Sequence, residues 1–229
     1  MSLKSGFVTI LAYPRPSFCY LRAMQPIDLY SYLKKSGEYD LKELVKEREY
    51  GKGEYIYLPG NSGNYMYEVE QGVVKIGSYS EDGKETVYEV LSKGDFFGNL
   101  QYLDDVPFFE FSKTLTPTRI RTYKLSFYRH IIVHDPAASE WFNITTVMRW
   151  SKSERKLFHS RQADIQGKLL FIYEQYNREV DDAKGKKHHI FNLLSMKDLG
   201  DLIGATRQTV SVTLKELVES GQLPAETIS

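Results

Sequence analysis

Ser195–Gly221 reads SMKDLGDLIGATRQTVSVTLKELVESG, and its punctuation is that of two short helices joined by a tight turn. Ser195 with Asp198 three residues on forms a capping-box pattern, a hydroxyl and a carboxylate that satisfy the free N–H groups at a helix start. Leu199, Leu202 and Ile203 make the apolar face of this first helix, and Gly200 leaves room for a second helix to cross closely. Gly204 stands just past the last apolar residue, where a left-handed C-cap is needed, and Thr206 can cap the following helix through its hydroxyl. Val210, Leu214 and Leu217 recur at i, i+4 and i+7 and face inward, which leaves Arg207, Gln208, Ser211, Val212 and Lys215 on the other faces. The stretch predicts a helix-turn-helix. Arg207 and Gln208 can each present two hydrogen-bonding groups to a base edge, while Thr206, Thr209 and Lys215 suit phosphate oxygens. An ordinary helical hairpin shares the amphipathic pattern, so the rest of the chain has to decide.

With 229 residues, 41% hydrophobic and 26% charged, the chain can build two compact domains rather than a disordered tail. Its 30 basic and 30 acidic residues cancel, so no global positive field draws it onto nucleic acid. From residue 150 onward 12 basic side chains face 11 acidic ones; DNA recognition would therefore rest on a local patch, presented twice by a homodimer. The single cysteine, Cys19, excludes an internal disulfide, a cysteine-ligated cluster and a Cys-type zinc finger, and fits a reducing cytoplasm. The early run GFVTILAYPRPSFCY is cut by Pro14, Arg15 and Pro16 and is too short to span a bilayer, so neither a membrane partner nor a signal peptide is expected.

Residues 25–48 alternate at helical spacing, with Leu29, Leu33, Leu41, Leu44 and Val45 inward and Gly37 as an interruption. From Tyr50 the period changes to two, punctuated by glycines about every ten residues, as in a small barrel or jelly roll. Glu81-Asp82-Gly83-Lys84 is a hairpin turn and Ser92-Lys93-Gly94-Asp95 a second one. TRIRTYKLS, residues 118–126, is the closing strand, and His130 marks the exit. Asp135-Pro136 is an N-cap with proline in the first turn of a long helix, in which Trp141, Ile144, Met148, Phe158 and Ile165 keep a step near 3.5 residues, a candidate dimer seam. Asp164 and Gly167 mark a break before the amphipathic LLFIYEQY. Residues 178–187 read as a solvated loop, and HHIFNL as a short strand leading to Ser195.

The roll ending in Gly94-Asp95-Phe96-Phe97-Gly98-Asn99-Leu100, the long helix and the C-terminal GATRQTVSVTLKEL together resemble the Crp/Fnr family of bacterial transcription regulators, over roughly residues 28–223. The resemblance implies an α+β chain: an N-terminal double-stranded β-helix, jelly-roll or cupin-like, as sensor (1–134), a long dimerisation helix (135–163) and a C-terminal winged helix-turn-helix (164–229). It implies a cytoplasmic homodimer that binds double-stranded DNA at a palindromic operator and takes a small-molecule effector in the roll. Arg207, Gln208 and Ser211 fall on the family's base-reading positions, with Val212 where a polar or basic residue is usual. Phe97, Gly98, Asn99, Leu100, Glu110 and Phe111 with Ser153 fall around its effector pocket. Cyclic-nucleotide-binding members carry a glutamate for the ribose where Asn99 stands. Their arginine for the cyclic phosphate should fall near Phe109–Phe111, where this chain has Glu110. A carboxylate there repels phosphate, so no cyclic-nucleotide response is expected, with Lys113 the only nearby cation. The aromatics Tyr65, Tyr67, Phe96, Phe97, Phe108, Phe109 and Phe111 then either line an apolar pocket or fill the core, and core filling is the simpler reading.

A metal-dependent cupin enzyme would need several ligands inside the roll, yet no histidine precedes His130, and His188 and His189 point to opposite faces if they lie on a strand. No phosphate loop, nucleophile elbow or paired carboxylates mark an enzyme, and no metal or cofactor is expected. The competing reading is a dimeric sensor or interaction module with a degenerate, non-DNA-binding helix-turn-helix. It draws on Thr213 at a core position and on Gln222–Ser229, too short for the two-stranded wing that usually follows.

Overall fold

The computed structural model describes residues 27–60, 63–102 and 107–228; the early apolar run, its prolines and Cys19 lie outside them. Helix α1 (Leu29–Ser36) is capped by Asp28, whose carboxylate accepts from Ser31 N at 2.7 Å. Gly37 ends it at φ 69°, in the left-handed region where a Cβ is strained. Helix α2 (Leu41–Leu44) is a single turn. The expected helix to residue 48 stops there, because Val45–Tyr50 forms strand β1 and pairs with β8 (Thr118–Lys124). Cross-strand pairing overrides the local helical period.

Between these two lie β2 (Tyr55–Tyr57), β3 (Tyr65–Gln71), β4 (Val73–Tyr79), β5 (Glu85–Ser92), β6 (Phe96–Phe97) and β7 (Glu110–Thr114). They form two four-stranded antiparallel sheets, β1-β8-β3-β6 and β2-β7-β4-β5, the double-stranded roll read from the sequence. Both turns are where expected, with Gly83 at φ 76° and Gly94 at φ 87°. The strand period of two sorts neighbouring side chains into different layers. Tyr57, Tyr67, Val69, Ile76, Phe97 and Ile120 pack together between the sheets. Met66, Phe96 and Tyr123 turn outward from the first sheet onto the helices, while Val73, Val87, Val90 and Phe111 turn outward from the second. Most of the roll's aromatics are therefore core: Tyr67, Phe96, Phe97 and Phe111 are buried, and Phe109 alone of those named above is a large exposed one.

β8 ends at Lys124, two residues earlier than expected, because Leu125–His134 forms helix α3; His130 lies inside it. Helix α4 (Pro136–Gln162) starts as read, with Asp135 Oδ1 accepting from Ala137 N and Ala138 N at 3.0 Å each. Two of the five residues expected in its seam lie off the free surface of this helix. Trp141 is buried against Phe96, ring centroids 4.8 Å apart, and Ile165 belongs to α5 (Ile165–Tyr176), capped by Asp164. The face of α4 that is exposed and apolar carries Val147, Trp150, Leu157 and Phe158. The contact of Trp141 with the roll sets the helix phase, and spacing alone could not choose it.

Residues 178–187 contain more than the expected loop: β9 (Glu179–Asp181) and β10 (Lys187–His189) pair antiparallel. HHIFNL contributes only the end of β10 before a 3-10 turn at Phe191–Leu193. His188 Nε2 lies 3.0 Å from Asp182 Oδ2, and no group of three or more metal-ligating side chains occurs among the described residues. Helices α6 (Met196–Ile203) and α7 (Arg207–Glu219) complete the chain. The two-stranded hairpin of this C-terminal unit precedes α6; after α7 the described residues hold only a 3-10 turn at Ala225–Ile228. A wing following α7 is thus absent among them, since the segment folds back to bury Leu223 beneath the helices.

The C-terminal unit is fastened to the roll along β5, an edge strand of its sheet. An edge strand exposes unpaired backbone groups, and here side chains of α6 cover them. Asp201 Oδ2 accepts from Val87 N at 3.0 Å, and Lys197 Nζ donates to the Glu85 carbonyl. Lys75 on β4 pairs with Asp198 at 2.7 Å. Tyr176 and Lys152 donate to Glu89 at 2.8 and 2.9 Å, linking α5 and α4 to the same strand.

Candidate nucleic-acid interface and roll pocket

The capping box at the start of α6 is complete: Ser195 Oγ accepts from Asp198 N at 3.1 Å and Ser195 N donates to Asp198 Oδ2 at 3.0 Å. Gly204 closes α6 at φ 70°. Gly200 allows the crossing, since a Cβ there would lie 2.6 Å from the Ala205 carbonyl oxygen, well inside van der Waals contact. Val210, Thr213, Leu214 and Leu217 are the buried residues of α7, and the Thr213 hydroxyl takes the place of an aliphatic group at a core position.

At 3.6 residues per turn, Arg207, Gln208, Ser211, Val212 and Lys215 fall within a sector of roughly 140°. Ser211 is half-buried and the other four are exposed, so the structure brings these candidates onto one face. Thr206 and Thr209 stand at its N-terminal end, Thr209 exposed and Thr206 at the turn, but their hydroxyls are engaged. Thr206 Oγ1 accepts from Thr209 N at 3.1 Å and lies 2.8 Å from Thr209 Oγ1. A phosphate contact by either threonine would share a hydroxyl already used to cap α7. The exposed first turn of α7 adds its N–H groups and positive dipole end to the cations of Arg207 and Lys215.

The candidates for a roll pocket separate. Glu110 and Phe111 are neighbours on β7 and point to opposite faces. Phe111 is fully buried against Tyr55 and Tyr79, with centroids 6.0 and 5.3 Å away, in the cluster that continues into the C-terminal helices; it does not line a pocket. Leu100 packs outward against the α1, α3 and α4 cluster. Asn99 Oδ1 caps its own loop by accepting from Gln101 N at 2.8 Å. Ser153 is exposed and donates its hydroxyl to the Arg149 carbonyl at 3.0 Å, within α4. Phe97 is stacked on Tyr67, centroids 5.3 Å apart, in the inner core, and Gly98 adopts φ 114° beside them.

Glu110 has partners that the sequence did not reveal. Tyr57 Oη donates to its Oε1, and Tyr88 Oη to its Oε2 at 2.6 Å. Burial pushes the Glu110 carboxyl above the usual carboxylate range, against the pull of the two phenols and of the Arg149 charge. Burial and the facing Glu110 in turn raise both phenols above the ordinary tyrosine value. The place at issue is therefore an occupied donor–acceptor cluster that presents an acid rather than a cation. A buried acidic side chain needs donors, but spacing does not say which strands bring them; Tyr57 on β2 and Tyr88 on β5 are 53 and 22 residues away in the chain.

Residues 47–134 match the cyclic nucleotide-binding domain family. The chain is 24% identical over 186 residues to the CRP-like cAMP-activated global transcriptional regulator of Mycobacterium tuberculosis, covering 81% of this chain and 83% of that protein. It is 23% identical over 206 residues to the anaerobic regulatory protein of Bacillus subtilis, covering 87% and 84%. FixK2 from Bradyrhizobium japonicum superposes with a TM-score of 0.62 over 78% of this chain and 86% of that one, at 21% identity. A CRP-family transcriptional regulator from Thermus thermophilus gives a TM-score of 0.60 over 76% and 85%, at 17% identity. The structural matches share the fold, with its roll and C-terminal helices, and the sequence relatives are regulators rather than enzymes.

Proposed function

We propose that this chain, a homologue of the Crp/Fnr family of transcription regulators, works as a homodimer that reads a palindromic DNA site in the cytoplasm through α7. The observation that carries the reading is the single exposed face of Arg207, Gln208, Ser211 and Lys215 on a helix whose opposite face is buried. Arg207 and Gln208 read base edges, Ser211 adds a short polar contact, and Lys215 with the helix N-terminus meets phosphate. Thr206 and Thr209 contribute mainly by capping that N-terminus.

The exposed apolar row Val147, Trp150, Leu157 and Phe158 of α4 supports dimerisation, because a stripe of this kind on a long helix is covered most simply by its own copy. Glu110, backed by Tyr57 and Tyr88, supports a roll that does not respond to cyclic nucleotides, since it meets a cyclic phosphate with a carboxyl group. One observation favours an interaction module instead: Val212 is apolar and 52% exposed within the reading face.

Selection of bound fragments from a random-duplex pool, at low and near-physiological salt, separates the two. An inverted repeat with half-sites about one helical turn apart, surviving the higher salt, is the expected result. Arg207→Ala should then weaken binding by about 1–3 kcal/mol and relax preference at one base pair per half-site. No enrichment at either salt, or an Arg207→Ala protein with unchanged affinity and preference, would overturn the reading.

A further inference from the structure

A cleft of about 1030 Å³ opens where α1, β3, the Lys93–Phe96 corner, α4 and α5 meet. None of Phe97, Gly98, Asn99, Leu100 and Glu110 lines it, so it is separate from the roll pocket. Its cations gather on the helical side. Glu68 and Glu70 on its roll side are held by Arg121 at 3.4 and 2.6 Å. Asp28 and Asp95 are turned to backbone, accepting from Ser31 N at 2.7 Å and Ser92 N at 2.8 Å. On the helical side Arg149, Arg155 and Arg178 also line the cleft, and among the described residues none of the three is in a salt bridge. Arg149 donates to the Phe96 carbonyl at 2.7 Å and Arg178 to Ser92 Oγ at 2.8 Å, both neutral acceptors. Lys93 is likewise outside any salt bridge among the described residues, whereas Lys152 is held by Glu89 at 2.9 Å; Glu174 is the acid on the helical side, and it is outside any salt bridge among them too.

A second observation concerns neutral groups. Thr145 Oγ1 and Gln175 Oε1 are buried without a hydrogen-bond partner, and both belong to residues lining this cleft, on α4 and α5 respectively. Buried polar atoms are nearly always paired, and an orphan marks a place where a partner belongs. Gln175 Oε1 can only accept, so the partner it lacks is a donor. Phe96, Trp141, Met148 and Phe171 supply apolar lining to the same cleft.

We infer that the cleft is a binding site for a small organic anion bearing hydroxyl or amino donors, its carboxylate or phosphate on Arg155 and Arg178 and its donors toward Gln175 and Thr145. Guanidinium groups outside salt bridges suit either anion. The rim of α4 that carries Met148 and Arg155 is turned roughly 80–100° around the helix from Val147, so the site stays open when the apolar row is covered. A ligand held between Arg155 and Arg178 ties α4 to the segment just after α5, which leads into the helix-turn-helix; this consequence for DNA binding rests on the function proposed above, whereas the ligand site does not.

The test is calorimetry on the full chain without DNA, using ribose 5-phosphate and gluconate as the phosphate and carboxylate arms, with ribose and inorganic phosphate as their separated halves. Saturable binding of at least one organic anion is expected, tighter than inorganic phosphate, with no binding of ribose. Arg155→Gln and Arg178→Gln should each weaken it roughly tenfold, and Gln175→Leu should weaken the organic anion while leaving inorganic phosphate unchanged. Lys84→Gln, at the exposed turn between β4 and β5 and outside the cleft lining, should leave anion binding unchanged. Absence of saturable binding by both organic anions at millimolar concentration, or affinity unaffected by both arginine substitutions, overturns the site. Equal binding of inorganic phosphate and the organic anions overturns the donor assignment.

Discussion

Replacing Asp198 with Asn removes one charge from the contact between the roll and the C-terminal helices while keeping the side chain's size. Lys75 Nζ and Asp198 Oδ1 are 2.7 Å apart, with side chains only 13% and 4% exposed, so the pair is largely shielded from water. The other Asp198 oxygen accepts from Ser195 N at 3.0 Å and Ser195 Oγ at 2.7 Å. Breaking a buried pair by removing one partner costs about 3–5 kcal/mol, because the remaining charge stays buried. Asn keeps one oxygen for either Lys75 or Ser195 but not both, and some water reaches Lys75, so the lower end, about 3 kcal/mol, is expected. Lys75→Met should cost less, about 1–2 kcal/mol, because Asp198 retains its Ser195 donors and its favourable place at the N-terminus of α6.

Urea unfolding of the wild type, both single variants and the double variant measures these losses, and the double-mutant cycle isolates the coupling. The pH dependence gives an independent check. Burial works to raise the Asp198 carboxyl, but hydrogen bonds from Lys75 and Ser195 overcome it and hold the group below its ordinary value of 3.8. A depressed folded value means that the contribution is fully present above the unfolded value and is lost as pH falls through the folded one. The difference between wild type and Asp198→Asn should thus be constant near neutrality and close as pH falls below about 4. A loss under about 1 kcal/mol with no coupling to Lys75 would refute the view that this pair fastens the two parts.

Gly200→Ala should destabilise the chain by about 1–3 kcal/mol through overpacking, because the new Cβ meets the Ala205 carbonyl oxygen at 2.6 Å; thermal unfolding measures it, and an unchanged midpoint would show that the α6–α7 crossing is looser than described. Trp150→Glu, at a side chain 65% exposed in this chain, should shift sedimentation from dimer to monomer without loss of helical content, and an unaltered dimer would place the interface elsewhere. Titration with cyclic AMP or cyclic GMP should give no saturable heat at the roll; micromolar binding abolished by substitution of Tyr57 or Tyr88 would reverse the reading of Glu110.

How far the chain was legible depended on how local each determinant is. The Asp28, Asp135, Asp164, Ser195 and Thr206 caps act within one turn of helix, and of these Asp135, Ser195 and Thr206 are recognisable as caps from residue type and position. The glycines at 83, 94 and 204 announce positive φ by residue type. The long helix is evident in the sequence but its phase is not: Trp141 and Val147 are both apolar, and only the contact of Trp141 with Phe96 decides which of them is core. The same limit explains Phe111, which sequence places beside Glu110 in a pocket and the pleat turns to the other side of the sheet. Strand β1 and the β9–β10 hairpin escape a local reading because their stability comes from partners far along the chain or from a short ladder among charged residues.

By itself the sequence determined the order of parts, a roll followed by a long helix and a helix-turn-helix, because two-residue and 3.6-residue periods, caps and turn glycines are local properties. It also determined the residue types on the exposed face of α7, since a helix's buried row leaves its complement exposed. The tertiary structure decided which groups meet across long separations: Glu110 with Tyr57 and Tyr88, Lys75 with Asp198, and the arginines of α4 and of the segment after α5 around one cleft. Those meetings are set by sheet register, helix phase and the docking of α6 on an edge strand, and burial then fixes the strength of each charge.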